Sequence, residues 1–257
     1  TCEGTVIKSI VRVAVKILEP GSMEPEEFLS ESKVMKKLHH KHLIQLIGVC
    51  TLEEPLYIIT KFMSNGTLLE YIRERKDTES PLEFQVQVDI AAQVASGMAF
   101  IEINRYIHRD LAAKNILVGE NNKVKIAKSG LSILSSDVST PATQFKFPIR
   151  WAAPEVLSNS KFSIKSDVWA FGILMYELLT HGDIPYPDMK IEQILPRVKG
   201  GYLHPKPSGC EDYLYDIISD TWKKNPDHRP TFETLHWQLD DYFTSDGGSI
   251  GLMYTGV

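Results

Sequence analysis

The pattern of apolar and polar residues changes character along the chain. Near the start it is short and β-rich, as in Val11-Arg12-Val13-Ala14-Val15, which predicts a strand. Pro25-Glu26-Glu27 then opens a helix, with acids in the first turn facing the helix dipole. In it Glu31, Met35 and Leu38 recur at i, i+4 and i+7, which predicts one shared face. Two further strands are predicted over Leu43 to Val49 and Leu56 to Phe62, and Ser64-Asn65-Gly66 is a turn signal. Beyond it the period becomes helical. Phe84 to Ile101 carries Val88, Ala91, Ala92, Ala95 and Ala99 at helical spacing. Ser166 is placed to cap a second helix that runs to about Thr180 and closes at Gly182. That helix is apolar all round, which predicts burial in the centre of its layer. Strands first and helices after predict an α+β chain with a small sheet lobe and a larger helical lobe.

Composition narrows the function without fixing it. At 257 residues the chain fits one two-lobed domain. A net charge of −5 with no strongly basic block argues against nucleic acid as the main partner. Lys36, Lys37, His39, His40 and Lys41 read as a solvated helix end. Cys2, Cys50 and Cys210 lie far apart, without the spacing of a disulfide framework or a zinc site, and suit a reducing compartment. The longest apolar run, Val168 to Tyr176, is shorter than the roughly 20 residues that span a bilayer. Thr1 opens a charged, mixed segment unlike a signal peptide, and the whole reads as an excised domain.

The strongest chemical signal is His108-Arg109-Asp110-Leu111-Ala112-Ala113-Lys114-Asn115, an HRD motif followed by asparagine. Phosphoryl transfer needs a carboxylate to accept the proton of the attacking hydroxyl, a role that fits Asp110. It also needs an oxygen ligand for a metal, which fits Asn115. Ile116-Leu117-Val118 follows at once, as a short hairpin after the loop requires.

On these residues the chain resembles the protein tyrosine kinases, and among them the Src-related cytoplasmic, non-receptor group with its Frk-like members. The likeness runs over nearly the whole length. It places Lys16, at the end of Val13-Ala14-Val15-Lys16, as the nucleotide-contacting lysine, and Glu31, fifteen residues on, as its partner. It implies an ATP pocket drawn from Gly4, Val6, Ala14, Lys16, Thr60, Phe62, Met63 and Leu117, with Thr60 at the gatekeeper position. Arg109 and Asn115 join Asp110, Lys16 and Glu31 as implied catalytic residues, with Asn115 as metal ligand. Ala153-Pro154-Glu155 resembles the motif that closes the activation segment, with Arg229 as salt-bridge partner of Glu155, and Asp167 resembles the aspartate that braces the catalytic loop. Leu111-Ala112-Ala113-Lys114-Asn115 and the platform Phe147-Pro148-Ile149-Arg150-Trp151 resemble those of tyrosine-specific members. Phe28-Leu29-Ser30-Glu31 and Tyr242-Phe243-Thr244-Ser245 add the Src-like flavour. The lobes implied are residues 1–63, truncated at the start, and 64–243, with a flexible tail over 244–257.

The likeness breaks at the metal. Where the family places Asp-Phe-Gly, this chain has Lys128-Ser129-Gly130. Lysine is no ligand for a divalent cation. It also replaces −1 by +1 beside one, and two unit charges about 4 Å apart interact by roughly 4 kcal/mol at an effective dielectric near 20. Ser129 leaves a gap where a ring would stack on His108 and Met35, with Leu46 completing the column; such core truncations cost about 3–5 kcal/mol. The glycine-rich loop keeps only Gly4 and Val6 of its pattern. Residues 130–154 contain no tyrosine, and Ser139 stands where Src-type kinases carry the activating one.

Three readings follow. The first is a pseudokinase or strongly impaired kinase that signals by binding, with nucleotide bound without metal or not at all, Lys128 supplying charge to it or pairing with Glu31. The second is an active tyrosine kinase using ATP and Mg2+ on tyrosine-containing proteins. The third is a degenerate copy that folds poorly. The resemblance implies a cytoplasmic setting among signalling proteins, with SH3 or SH2 modules and any membrane association supplied by parts outside this chain. Tyr254 is a candidate imitation of the Src regulatory tail tyrosine.

Overall fold

The computed structural model describes residues 11–127, 133–134 and 148–242, the pair 133–134 by backbone alone. The α+β expectation is met by a small antiparallel sheet followed by a mostly helical body. The sheet has the order β1-β3-β2, from β1 (Val13–Ile17), β2 (Leu46–Cys50) and β3 (Tyr57–Lys61). Helix α1 (Pro25–Met35) lies between β1 and β2 in the chain and starts with proline at its first turn, followed by Glu26 and Glu27. Its end at Met35 leaves Leu38 beyond the helix, in the following turn, although Met35 and Leu38 are both buried as their spacing predicts. The strands begin up to three residues later than predicted. Their hydrogen-bonded register with β3 decides the bounds, and alternation alone does not show it.

The helical body comprises α2 (Leu68–Arg73), α3 (Phe84–Ile103), α4 (Pro154–Asn159), α5 (Ile164–Leu179), α6 (Ile191–Lys199), α7 (Asp212–Thr221) and α8 (Phe232–Asp240). By length and composition α3 could cross a membrane, but 61% of its apolar window is buried inside the fold. It packs against α8 as a core helix. The run Val168–Tyr176 is therefore not the only long apolar stretch; Gln87, Asp89 and Gln93 interrupt α3 without changing its character.

Helix α5 is buried on nearly every side. Ser163, not Ser166, caps it. Ser163 accepts from the Ser166 backbone N–H, and Ser166 reaches back to the Ser163 N–H, a reciprocal box that satisfies two free donors. Its far end closes as predicted, with the Gly182 N–H donating to the Glu177 carbonyl at φ +90°. At Gly172 the helix backbone lies against α7 so closely that an added Cβ would sit 2.0 Å from Thr221 Oγ1 and 2.5 Å from Trp222 Nε1.

Sheet and helices meet through the segment before β2. Hairpin β5 (Ile116–Val118) and β6 (Val124–Ile126) forms where predicted. The Ile126 N–H donates to the His42 carbonyl at 2.8 Å, and the Ile44 N–H donates to the Ile126 carbonyl at 2.9 Å. Beneath this ladder Gly97 of α3 comes so close that a Cβ would lie 2.8 Å from Ile126 Cδ1 and 3.0 Å from the His42 carbonyl oxygen. The basic turn before it is not purely solvated: His40 stacks on Phe100 with ring centroids 5.1 Å apart.

Gly172→Ala is expected to lower stability by about 1–3 kcal/mol or more, because the Thr221 and Trp222 side chains that would meet the added Cβ are buried and have little room to move aside. The denaturant midpoint against wild type measures it, at unchanged slope.

Candidate active site

The loop between β4 (Tyr106–Ile107) and β5 carries the HRD motif, and it is braced from below. Asp167, in the first turn of α5, accepts the His108 N–H at 2.7 Å and the Arg109 N–H at 2.9 Å. Arg109 has φ +70°, a left-handed conformation that costs a non-glycine residue of order 1 kcal/mol or more, so the two amide bonds fix a backbone that would otherwise relax. Past Asp110 a short 3₁₀ turn, Ala113–Asn115, brings Asn115 back, and its Nδ2 donates to the Asp110 carbonyl at 2.6 Å. The Asn115 amide oxygen is thereby left to act as an acceptor or ligand. The Asn115 backbone carbonyl accepts from the Ala127 N–H at 2.8 Å, which anchors the approach to position 128.

Asp110 itself is nearly buried, and its Oδ1 accepts no hydrogen bond. Lys114 Nζ lies 3.3 Å from that oxygen, close enough for an ion pair but outside hydrogen-bond geometry. Lys114 was not singled out from the sequence; its i+4 offset from Asp110 was the available signal.

Lys16 on β1 and Glu31 on α1 meet at 2.7 Å, as the resemblance implies. Glu31 is 10% exposed and Lys16 51%. A half-exposed pair contributes no more than about 1 kcal/mol to stability, so its consequence is positional: it aims the ammonium. Lys16 also stands 5.6 Å from the Phe28 ring centroid. Ala14 pairs with Thr60 across β1 and β3, and Thr60 pairs in turn with Leu46 of β2. Met63 joins a small buried cluster with Met35 and Ile44, against which Leu46, Leu117 and Ala127 pack. Phe62 is 39% exposed, with the Arg12 guanidinium 5.6 Å from its ring centroid. Gly4, Val6, Lys128, Ser129 and Gly130 lie outside the described residues, as do Phe147, Ser139, Phe243 and the tail with Tyr254.

The residues present suit a nucleotide better than a fully held metal. Ala14 and Thr60 face each other across β1 and β3, Met63 and Leu117 pack in one small apolar cluster, Lys16 is a cation held by Glu31, and Asn115 would offer a metal one neutral oxygen. Among the described residues no group of three His, Cys, Asp or Glu side chains is placed to hold a metal ion.

Sequence reasoning also missed Glu177. Buried in α5, its Oε2 accepts the Ala113 N–H at 3.0 Å and the Trp151 Nε1–H at 2.9 Å. It therefore ties the HRD loop to the Ile149–Trp151 turn. Arg150 fastens the same turn from outside, donating to the carbonyls of Pro185, Tyr186 and Met189. Glu155 and Arg229 form the predicted pair through two bonds of 2.6 and 3.0 Å, with Arg229 fully buried. Removing one partner from such a pair costs about 3–5 kcal/mol.

The family described as protein tyrosine and serine/threonine kinase matches residues 2–239. The chain belongs to that family. It is a protein tyrosine kinase domain with Src-family homologues. It is 50% identical to human tyrosine-protein kinase FRK over 238 residues, covering 91% of this chain and 47% of FRK. It is 50% identical to tyrosine-protein kinase SRK3 of the sponge Spongilla lacustris, covering 91% of this chain and 70% of the relative. It is 46% identical to tyrosine protein-kinase src-1 of Caenorhabditis elegans, covering 93% of this chain and 45% of the relative. The kinase domain thus spans about half the length of FRK and src-1.

Burial pushes the Glu177 carboxyl up to about 7, against the pull of its two hydrogen bonds, and burial likewise takes Asp167 to about 7. Both folded values lie above the unfolded ones of 4.5 and 3.8. Their contribution to stability is therefore complete below about pH 4 and is lost as pH rises through 7. From these two groups melting temperature is expected to fall between about pH 5 and 7 and to level off above it, and Glu177→Gln to flatten part of that slope. Glu177→Ala, which orphans two buried donors, is expected to cost about 2–6 kcal/mol at pH 6, while Glu177→Gln keeps an acceptor and most of the stability.

Proposed function

We propose that this domain is the catalytic unit of a non-receptor protein tyrosine kinase of the Src-related kind, working at a rate held down by Lys128. The reaction transfers the γ-phosphoryl group of ATP to the hydroxyl of a protein tyrosine. The observation that carries the reading is the assembly of the four groups this reaction needs. Lys16 is steered by Glu31, and Asp110 and Asn115 sit on a loop braced by Asp167. Asp110 accepts the tyrosine proton at Oδ1, which accepts no hydrogen bond, and Lys114, 3.3 Å from that oxygen, pairs with the carboxylate before the proton arrives. Lys16 holds the α- and β-phosphates. ATP supplies the phosphoryl group, and Asn115 offers Mg2+ one oxygen. Arg109 belongs to the same loop, its guanidinium 4.9 Å from the Phe162 ring centroid. The Ile149–Trp151 turn, fixed by Glu177 and Arg150, is the platform for the peptide.

In this reading residues 1–63 and 64–243 are the two lobes of one domain, with 244–257 as a tail. The adenine end of the pocket includes Gly4, Val6, Ala14, Thr60, Phe62, Met63 and Leu117. The setting is cytoplasmic, and SH3 or SH2 modules or a membrane attachment would come from parts outside this chain.

Lys128 and Ser129 favour a second reading, a pseudokinase kept for binding. A cation at the metal-ligand position opposes Mg2+, and each unit of the ion's charge at about 4 Å is worth roughly 4 kcal/mol, close to three decades of rate.

Phosphorylation of a generic tyrosine polymer separates the two. The domain is expected to show slow transfer, abolished by Asp110→Asn and raised about 100- to 1,000-fold by Lys128→Asp with Ser129→Phe. No transfer at high enzyme concentration, with no magnesium-dependent thermal shift on adding ATP, selects the pseudokinase.

A further inference from the structure

Beside the proposed nucleotide site, whose Phe62 and Met63 also line one of them, three elements bring lysines together around clefts that share their walls. Lys41 comes from the turn before β2, Lys61 from the end of β3, and Lys123 and Lys125 from the β5–β6 hairpin. All four line a cleft of about 560 Å³ bounded by α3 and α8. A neighbouring cleft of about 500 Å³ shares Lys61, Lys123 and Lys125 and adds Arg12. A third, of about 350 Å³, shares Lys41 and Lys125 and opens onto the apolar side chains of Met35, Leu38 and Leu43.

These cations lack counterions. Among the described residues none of the four lysines, nor Arg12, forms an ion pair. Lys125 spends its ammonium on the carbonyls of Lys41 and Leu43. The two adjoining basic clefts hold five Lys and Arg side chains against three carboxylates, Asp89, Glu120 and Asp240. Asp89 is already engaged by Gln93 Nε2 at 2.7 Å. The strain of like charges is visible: His40 is lowered by its burial and then by Lys41, Lys125 and His236, and Lys125 by its burial and then by Lys61.

We infer that these clefts form one docking groove for an acidic polypeptide segment, with an apolar anchor residue seated against the half-buried Leu46, in front of the buried Met35, Leu38 and Leu43. Concavity and an apolar end distinguish it from a flat polyanion-binding face. Net charge points the same way. The protein carries −5 overall, which repels an extended anionic sheet or duplex, whereas a short segment feels only charges within a Debye length of about 8 Å. The surface is separate from the phosphotransfer reading and does not depend on it.

The test is fluorescence anisotropy with a short fluorescein-labelled glutamate peptide that carries a leucine pair. Binding is expected, weakening with added salt, and falling when the leucines become alanine. Lys61→Glu with Lys123→Glu, both exposed and free of structural hydrogen bonds, is expected to weaken it about tenfold or more. A melt of the variant confirms its fold; should it not fold, Lys61→Gln with Lys123→Gln reads the same loss at about threefold. The proposal is overturned if a lysine peptide with the same leucines binds equally, or if the charge reversals leave affinity unchanged. It is also overturned if phosphatidylserine vesicles bind the protein and the peptide does not.

Discussion

A single buried carboxylate organises the chemistry of this domain. Asp167 rises from the first turn of a helix with almost no exposed surface and accepts two consecutive backbone amides of the HRD loop. Without it, Arg109 would have no reason to stay in a left-handed conformation, and Asp110 would have no fixed direction. Glu177 does for the platform turn what Asp167 does for the loop, and from the same helix. Loop and platform are therefore registered against one rigid body rather than against each other. Both carboxyls stay buried against a desolvation penalty, which is the physical cause of their raised proton affinity.

The site divides into a half that is assembled and a half that is electrically contrary. Lys16, Glu31, Asp110 and Asn115 adopt a mutually consistent arrangement, and their pairing energies are small beside the packing that places them. Position 128 carries a lysine where the family carries an aspartate. In the proposed reading its cost falls on a bound divalent cation, so an intact scaffold and a slow reaction are compatible in one molecule.

Much of this was legible before any coordinates. Local rules found α1, α3 and α5, because an apolar period, the proline start of α1 and the glycine end of α5 are short-range signals, and left α2, α4, α6, α7 and α8 unread. The pairs Lys16–Glu31 and Glu155–Arg229, separated by many residues, could be named only through resemblance, since no local spacing brings them together. What stayed hidden depends on tertiary contact. Glu177 looks like one acid in an apolar helix until two donors are found on it. Ser163 and Ser166 compete for the same cap, and only the helix start decides between them. His40 sits in a run of surface cations, yet its ring lies on Phe100, a neighbour 60 positions away.

The missing side chain of Gly97 has a mechanical consequence. Helix, hairpin and the segment leading to β2 meet there with no glycine side chain between them, the helix backbone lying close against the Ile126 Cδ1 methyl and the His42 carbonyl. Such a contact transmits tilt but not separation. Were the sheet to rock over the helices during a catalytic cycle, Gly97 would be its fulcrum, and the cleft beside Lys16 would open and shut as the far end of a lever.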